Sequence, residues 1–191
     1  MSNATTRPVE NRFAPSARTV LIVIAGTALM TLAAKVQIPF WPVPMTLHTM
    51  AVMAFAVFLG PRIAVSIFLA YLAAGAMGLP VFSGSPERGI GLAYMAGPTG
   101  GYLLGYLVAS WLVGVLATGR GTFGRVGAMF AGMVPIYAIG MAWLAAYVPV
   151  GQLLAAGVLP FLLGDLVKIG VVAAGAMVLP ASIARLRGKA E

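Results

Sequence analysis

GVLPFLLGDLVKIGVV, residues 157 to 172, is an apolar stretch that contains two charged side chains, Asp165 and Lys168. Apart from these two residues, the stretch has the composition of a helix that crosses the hydrocarbon core of a membrane. Residues three apart lie on one face of a helix, so both charges would point at the same neighbours. A charge at the centre of such a helix costs about 2.5–3.5 kcal/mol. The stretch therefore predicts a membrane helix with a charged pair that has a specific role.

The composition of the whole chain agrees with a membrane environment. Of its 191 residues, 61% are hydrophobic and only 8% are charged, whereas soluble domains have about 25% charged residues. The net charge is +8, but the basic residues are scattered singly, so the chain does not present the basic surface that nucleic acid requires. With no cysteine, one histidine and four acidic residues, the sequence also argues against a metal site built by the protein.

Six apolar segments predict six membrane helices, at residues 19–36, 47–59, 63–77, 99–117, 126–147 and 158–183. The second segment is too short to cross upright, because its residues would rise only about 20 Å through a core about 30 Å thick. We therefore expect its proline- and glycine-rich connections to reach into the membrane, next to protein or a cavity. The first segment follows basic residues, as a secretory signal does, but five more segments come after it, so we expect it to be retained.

The distribution of basic residues predicts the orientation, because Lys and Arg are enriched in cytoplasmic loops. With the N-terminus inside, the outer loops contain only Lys35 and Arg88, and Lys168 lies within the membrane. The inner side then holds Arg7, Arg12, Arg18, Arg62, Arg120, Arg125, Arg185, Arg187 and Lys189. We predict an all-α, multi-pass protein of the cell (inner or plasma) membrane, a six-helix bundle with both termini cytoplasmic. Residues 1–18 would be a cytoplasmic segment, 19–184 a single domain and 185–191 a basic tail.

Three interpretations of the charged pair remain open. Asp165 and Lys168 could neutralise each other and hold helices together. They could instead form a polar patch that recognises a ligand, which is the usual role of ionisable residues inside a membrane. A proton relay is the third interpretation, although a relay needs more titratable groups than this chain offers.

The connection QIPFWPVPMTLHT, residues 37–49, is apolar and rich in proline. Three prolines exclude a helix here, Pro39, Pro42 and Pro44. Phe40 and Trp41 lie between them, so the segment could be a lid over a pocket or an anchor in the headgroup region. His48 falls at the start of the second apolar segment, and because a lone histidine is usually structural we assign it no role.

The second connection, residues 78–102, ends in GPTGGY. Small residues recur every fourth position from there into the fourth segment, at Gly97, Gly101, Gly105 and Ala109. Such a series lets membrane helices pack closely. The same glycines also begin a helix, whose free N–H groups and positive dipole end attract anions. A carboxylate could therefore bind there. The chain has no phosphate-binding loop of the G-x-x-x-x-G-K-[ST] type, so we expect it not to hydrolyse ATP itself.

Taken together, these stretches resemble the BioY family, the biotin-specific membrane subunits of energy-coupling factor transporters. The matching segments are QIPFWPVPMTLHT (37–49), LGPRIA (59–64), GLPVFSG (78–84), GPTGGYLLGY (97–106) and GVLPFLLGDLVK (157–168). The chain departs from the family at His48, where glutamine is usual, and at Leu163, where proline is usual. It also lacks a clear alanine-xxx-alanine pair in the first helix, which is typical of the family's docking surface.

The resemblance implies an outward-facing pocket for biotin, capped by the loops after the first and third helices. It implies that Asp165 accepts a hydrogen bond from a ureido N–H and that Lys168 donates one to the ureido oxygen. The apolar part of biotin would pack on aromatic residues, namely Phe40, Trp41, Phe82, Tyr94 and Tyr102. The carboxylate of biotin would rest on the backbone of Thr99, Gly100 and Gly101 or on Arg88, and the sequence does not choose between these two.

The resemblance further implies a transport subunit that is not an enzyme and that needs no cofactor. Its partners would be membrane lipid, a membrane coupling protein and two ATPase subunits, with a homo-oligomer as a further option. A stand-alone oligomeric biotin carrier is an alternative function. A structural membrane subunit is another. An intramembrane enzyme is a third, but the segments offer too few nucleophiles and bases for it.

Overall fold

Helices form most of the structure, which is a computed structural model and describes residues 16–39 and 41–178. The described helices are α1 (Ala17–Lys35), α2 (His48–Ala76), α3 (Gly91–Met95), α4 (Gly100–Ala117), α5 (Thr122–Leu144), α6 (Leu153–Gly157) and α7 (Leu159–Val178), with a 3-10 turn at Val150–Gln152. The described strands are β1 (Gln37–Ile38) and β2 (Met45–Thr46). Five stretches are long and apolar enough to cross a membrane: α1, α2, α4, α5 and Val150–Val178. The predicted all-α membrane class is therefore confirmed. Residues 1–15 and 179–191 lie outside the described residues, and with them most of the predicted segment 1–18 and all of the predicted tail 185–191.

The long element α2 is a helical hairpin and not a straight rod. In a straight helix, His48 and Tyr71 would lie about 35 Å apart, because each residue rises 1.5 Å. Their ring centroids are instead 5.0 Å apart. The chain reverses at Gly60, whose φ of +81° and ψ of 174° are not helical. Glycine adopts this conformation without a steric penalty, and Pro61 after it lacks the N–H that would continue the helix. Residues 48–59 and 61–76 are thus two antiparallel arms.

The loop between α1 and α2, residues 36–47, folds back over the bundle. As its prolines predict, its described residues form no helix. Instead β1 and β2 pair antiparallel, with Gln37 opposite Thr46 and Ile38 opposite Met45. The amide of Leu47 donates to the carbonyl oxygen of Ala33 over 3.1 Å. This bond holds the end of the loop against the last turn of α1.

The loop between α2 and α4, residues 77–99, lies against the first loop. Lys35, at the end of α1, donates from Nζ to the Ser85 carbonyl oxygen at 2.7 Å and to Ser85 Oγ at 3.0 Å. The hydroxyl of Ser83 donates to Gln37 Oε1. These bonds join the two loops at one end of the bundle, where α7 also begins.

Small residues allow the helices to approach closely. A Cβ added at Gly105 of α4 would lie 2.7 Å from the Cα of Ile136 in α5, and one at Gly101 would lie 2.2 Å from the Cβ of Trp143. Real Cβ atoms essentially never come this close to another heavy atom. The glycine series therefore has the packing role that was predicted for it, and it brings α4 and α5 together behind the two loops.

Candidate ligand-binding site

Asp165 and Lys168 lie on α7 and form a buried ion pair. Lys168 Nζ donates to Asp165 Oδ1 over 2.8 Å, and the two residues are 7% and 5% exposed, respectively. The second carboxylate oxygen, Oδ2, accepts from the hydroxyl of Tyr137 on α5 at 2.6 Å. Both oxygens of Asp165 therefore have a donor, and Tyr137 connects the pair to a neighbouring helix.

Lys168 retains unused donor capacity. An ammonium group has three N–H donors, yet within residues 16–39 and 41–178 its only hydrogen-bond acceptor is Asp165 Oδ1. A buried charge is stable only when its remaining hydrogen-bonding groups also find partners. A purely structural pair would satisfy these donors inside the protein. The arrangement therefore favours a site that meets a further polar group.

The ion pair lines a narrow inner cleft beneath the first loop. Its walls are formed by that loop, by the first turns of α2 and α4, by the middle of α5 and by the first half of α7. Its lining residues are Val43, Pro44, Met45, Thr46, Thr49, Tyr102, Tyr106, Ile136, Tyr137, Phe161, Asp165 and Lys168. Its volume is about 20 Å³, which is enough for roughly one water molecule.

A middle cleft continues from the inner one. The two share Val43, Pro44, Thr46, Tyr102 and Tyr106. The middle cleft adds His48, Tyr71, Ser83, Tyr94 and Thr99 to its lining. The two clefts therefore adjoin, and they place the ion pair of α7 close to the region beneath the second loop.

An outer cleft of about 330 Å³ completes the path. It shares Tyr94 and Thr99 with the middle cleft, and its other lining residues are Trp41, Pro42, Glu87, Arg88, Ala93, Gly97 and Pro98. The guanidinium carbon of Arg88 lies 5.6 Å from the centroid of the Trp41 ring, within the range of a cation–π contact. The three clefts thus lead from a buried ion pair to an arginine near the surface.

Tyr94 lies where the outer and middle clefts join. Burial raises the pKa of its phenol above the usual value of 10.0, while a hydrogen bond with Thr99 and the charge of Arg88 oppose the shift. The phenol is therefore neutral at physiological pH. A neutral phenol can both donate and accept, so this junction offers a hydrogen-bonding group without adding a charge.

The clefts contain seven of the residues that were predicted from the sequence. Asp165, Lys168 and Tyr102 line the inner cleft, Tyr94 and Thr99 line both the middle and the outer one, and Trp41 and Arg88 line the outer one. Phe40 lies outside the described residues. The charged pair, three of the predicted aromatic residues and Arg88 thus line adjoining clefts, while their contact with a ligand stays a prediction.

Three other predicted residues, Phe82, Gly100 and Gly101, line none of these three clefts, and their contact with a ligand stays a prediction. Phe82 is fully buried and stacks on Tyr94, with ring centroids 4.7 Å apart. Gly100 already donates its N–H to the Gly97 carbonyl oxygen at 3.0 Å, and Gly101 packs against Trp143. Close packing therefore occupies the start of α4, whereas Arg88 lines the outer cleft. Which of the two groups holds a carboxylate stays a prediction.

Several lining residues were missed by the sequence analysis. Tyr137 and Tyr106 project from α5 and α4, and the Tyr106 hydroxyl shares a hydrogen bond of 3.2 Å with Thr49 Oγ1. His48 was considered and given no role. Tyr106 lies four residues after Tyr102 and hence on the same helix face, which was an available signal. No spacing pattern in the sequence around Tyr137 indicates its contact with Asp165, because the two residues lie on different helices.

Comparison with known proteins agrees with this architecture. The family model for the BioY family matches residues 3–185. A probable biotin transporter BioY of Pyrococcus horikoshii is 36% identical over 80% of this chain and 90% of its own length. The biotin transporter BioY of Thermotoga maritima is 37% identical over 77% of this chain and 86% of its own length.

A solved structure is also similar. It is the S-component for biotin from an ECF-type ABC transporter, with a TM-score of 0.72 and 26% identity, and the match covers 90% of this chain and 91% of that one. Five apolar helical stretches and these matches confirm a multi-pass membrane protein whose relatives are named as transporters. The resemblance found in the sequence is confirmed, and the chain belongs to the BioY family.

Proposed function

We propose that the chain is a high-affinity biotin-binding membrane subunit for vitamin uptake. The observation that carries the proposal is the buried Asp165–Lys168 pair, which has donors to spare and opens into clefts that end at Arg88. A ligand for this path should have a compact polar head, an apolar middle and an anionic tail. Biotin has these parts in this order. The names of the relatives at 36% and 37% identity support the same ligand.

The ureido head would bind at the inner cleft. Asp165 would accept from one ureido N–H, and Lys168 would donate one of its unused N–H groups to the ureido oxygen. The hydrogen bond between Lys168 and Asp165 would then weaken as each side chain bonds to the ligand. A site built from buried polar groups rejects analogues that leave those groups unpaired, so binding should be specific for the urea.

The tail would extend through the middle cleft, and its carboxylate would lie at Arg88 in the outer cleft. Since the inner cleft is only about 20 Å³ in this structure, the first loop has to shift to admit the head. The first loop lines both the inner and the middle cleft, through Val43, Pro44 and Thr46. This loop would therefore act as the lid. The single domain of residues 19–184 would cross the membrane six times, since α2 is a hairpin, with both termini cytoplasmic and the loops outside.

Transport energy would come from partner proteins. The similar S-component belongs to an ECF-type ABC transporter, which supports a separate coupling protein with ATPase subunits. The test is biotin uptake by cells lacking their own transporter, with and without co-expression of those partners. Uptake that needs the partners supports the capture role, whereas equal uptake without them supports the stand-alone carrier.

Binding itself is tested by calorimetry on the purified chain. We expect one biotin per chain and a Kd below about 1 µM, with competition from biotin methyl ester but not from lipoate, which lacks the urea. Lys168→Met should weaken binding by about 100-fold, or about 2.7 kcal/mol. Equal competition by lipoate would show that the urea is not recognised, and no binding by a folded parent would leave a structural role for the ion pair.

A further inference from the structure

His48 is a buried polar residue to which the proposed function gives no task. It is the single histidine of the chain, it begins α2, it is 4% exposed, and it lines the middle cleft. Aromatic rings fix its imidazole in place: Tyr71 meets it edge-on at 5.0 Å, and Tyr106 is tilted against it at 5.3 Å.

The imidazole Nε2 has no hydrogen-bond partner among the described residues. An unpaired buried polar atom destabilises a fold, so packing alone would favour phenylalanine here. The nearby hydroxyls are already in use, since Thr49 and Tyr106 bond to each other and Tyr71 donates to the Val81 carbonyl oxygen at 3.3 Å. Because buried polar atoms are almost always hydrogen-bonded, this atom is expected to bond to a ligand that enters the cleft.

We propose that His48 is a specificity-determining residue whose Nε2 hydrogen-bonds the ureido head of the bound ligand. The inference rests on the proposed function and extends it. Biotin has strong hydrogen-bonding atoms only at its two ends, and the carboxylate end is assigned to Arg88 in the outer cleft. His48 contacts Tyr106, which lines both the middle and the inner cleft, so the head would meet this imidazole where the two clefts adjoin.

The chemistry of the urea leaves room for this contact. Asp165 would take one of its two N–H groups, and Lys168 would take one of the two lone pairs of the carbonyl oxygen. The second N–H and the second lone pair then remain. A neutral imidazole can meet either one, because Nε2 accepts in one tautomer and donates in the other.

The single histidine makes a direct measurement possible on the unaltered protein. With the chain labelled by ¹⁵N-histidine and any histidine tag removed, the imidazole spectrum reports His48 alone. Biotin should shift the Nε2 resonance by several ppm, and biotin methyl ester should do the same, because it has the same head. An Nε2 resonance that does not move when biotin saturates the protein would overturn the inference.

Variants separate ligand recognition from packing. His48→Phe keeps an aromatic ring but removes Nε2, and it should weaken biotin binding about tenfold while the melting temperature without ligand stays the same or rises. His48→Gln keeps a donor and an acceptor and should stay within about threefold of the parent. Unchanged binding by His48→Phe, or a ligand-free melting temperature lowered by more than about 5 °C, would make His48 a packing residue and overturn the inference.

The same titrations distinguish this inference from the proposed function. A parent that binds biotin tightly while His48→Phe binds equally well removes the role of His48 alone. A folded parent that binds no biotin removes both. Weaker biotin binding by His48→Phe, together with near-parent binding by His48→Gln, supports both the inference and the proposed function.

Discussion

The two ends of the cleft path differ in how they hold their charges. At the inner end, Asp165 and Lys168 are 5% and 7% exposed and bonded to each other at 2.8 Å. At the outer end, Trp41 is 80% exposed, and the guanidinium carbon of Arg88 lies 5.6 Å from the centroid of its ring. Electrostatic interactions are several times stronger in the interior than in water, and salt screens exposed ones. The inner end should therefore determine specificity, and the outer end should adjust affinity.

Removing one inner charge should have the largest effect. Asp165→Asn keeps the shape of the side chain but leaves Lys168 unpaired, and losing one partner of a buried pair costs about 3–5 kcal/mol. We expect biotin affinity to fall at least 100-fold and the unfolding midpoint in denaturant to drop, measured by calorimetry and by unfolding in detergent.

A double variant is the control for that loss. Asp165→Leu with Lys168→Met removes both charges, and replacing a buried ion pair by apolar residues is often neutral or stabilising. The double variant should fold at least as well as Asp165→Asn and still not bind. If it bound biotin like the parent, the inner end would be a packing feature and the contrast between the two ends would disappear.

Removing the outer charge should have an intermediate effect. Arg88→Ala should weaken biotin binding about tenfold, or about 1.4 kcal/mol, because the ligand carboxylate would lose a charged donor. The affinity for biotin methyl ester should hardly change, and the difference between the two ligands should shrink in high salt. Arg88→Lys is the matched control. If Arg88→Ala lost equal affinity for biotin and for its methyl ester, the ligand carboxylate would not bind at Arg88.

Removing the hydroxyl that supports the inner pair should have a smaller effect. Tyr137→Phe deletes the 2.6 Å donor to Asp165 Oδ2 and keeps the ring. A hydrogen bond to a charged group contributes about 1.5–3 kcal/mol, but a ligand N–H can take over the free oxygen. We therefore expect a loss of about fivefold, seen mainly as faster dissociation in stopped-flow measurements. A loss as large as that of Asp165→Asn would make Tyr137 a direct ligand contact.

The exposed aromatic residue should have the smallest effect. Trp41→Ala should weaken binding by about threefold or less, since residues at the rim of a site are close to neutral. Trp41→Phe, which keeps a ring under Arg88, should match the parent within error in calorimetry. A tenfold loss in Trp41→Ala would show that the outer end closes tightly over the ligand, and the two ends would then differ less.

The helices were predicted well where apolar runs have clear ends. The predicted segment 99–117 differs from α4, Gly100–Ala117, by one residue. The segment 126–147 was placed too late, because α5 runs over Thr122–Leu144 and its first turn contains the polar residues Thr122 and Arg125. Hydropathy locates the hydrocarbon core and misses helical turns that extend beyond it.

For the predicted site residues, the structure shows which neighbours each one meets. Asp165 and Lys168 were expected on one face of a helix and are bonded there. The glycines of GPTGGY were given a packing role and an anion-binding role, and the structure uses Gly100 and Gly101 for packing. Phe82, which is predicted at the ligand, fills the space beside Gly75 and stacks on Tyr94. A sequence shows that such residues are apolar or small, and it does not show which neighbour they meet.

The sequence by itself determined the membrane class, the family and the ion pair. Each of these depends on composition, on quoted motifs or on the fixed geometry of residues three apart in one helix. The tertiary structure alone decided that Tyr137 supports Asp165, that His48 lies unpaired among aromatic rings, and that Arg88 meets Trp41. These contacts join residues that are far apart in the chain, so they depend on how whole helices and loops pack, and no local pattern records that packing.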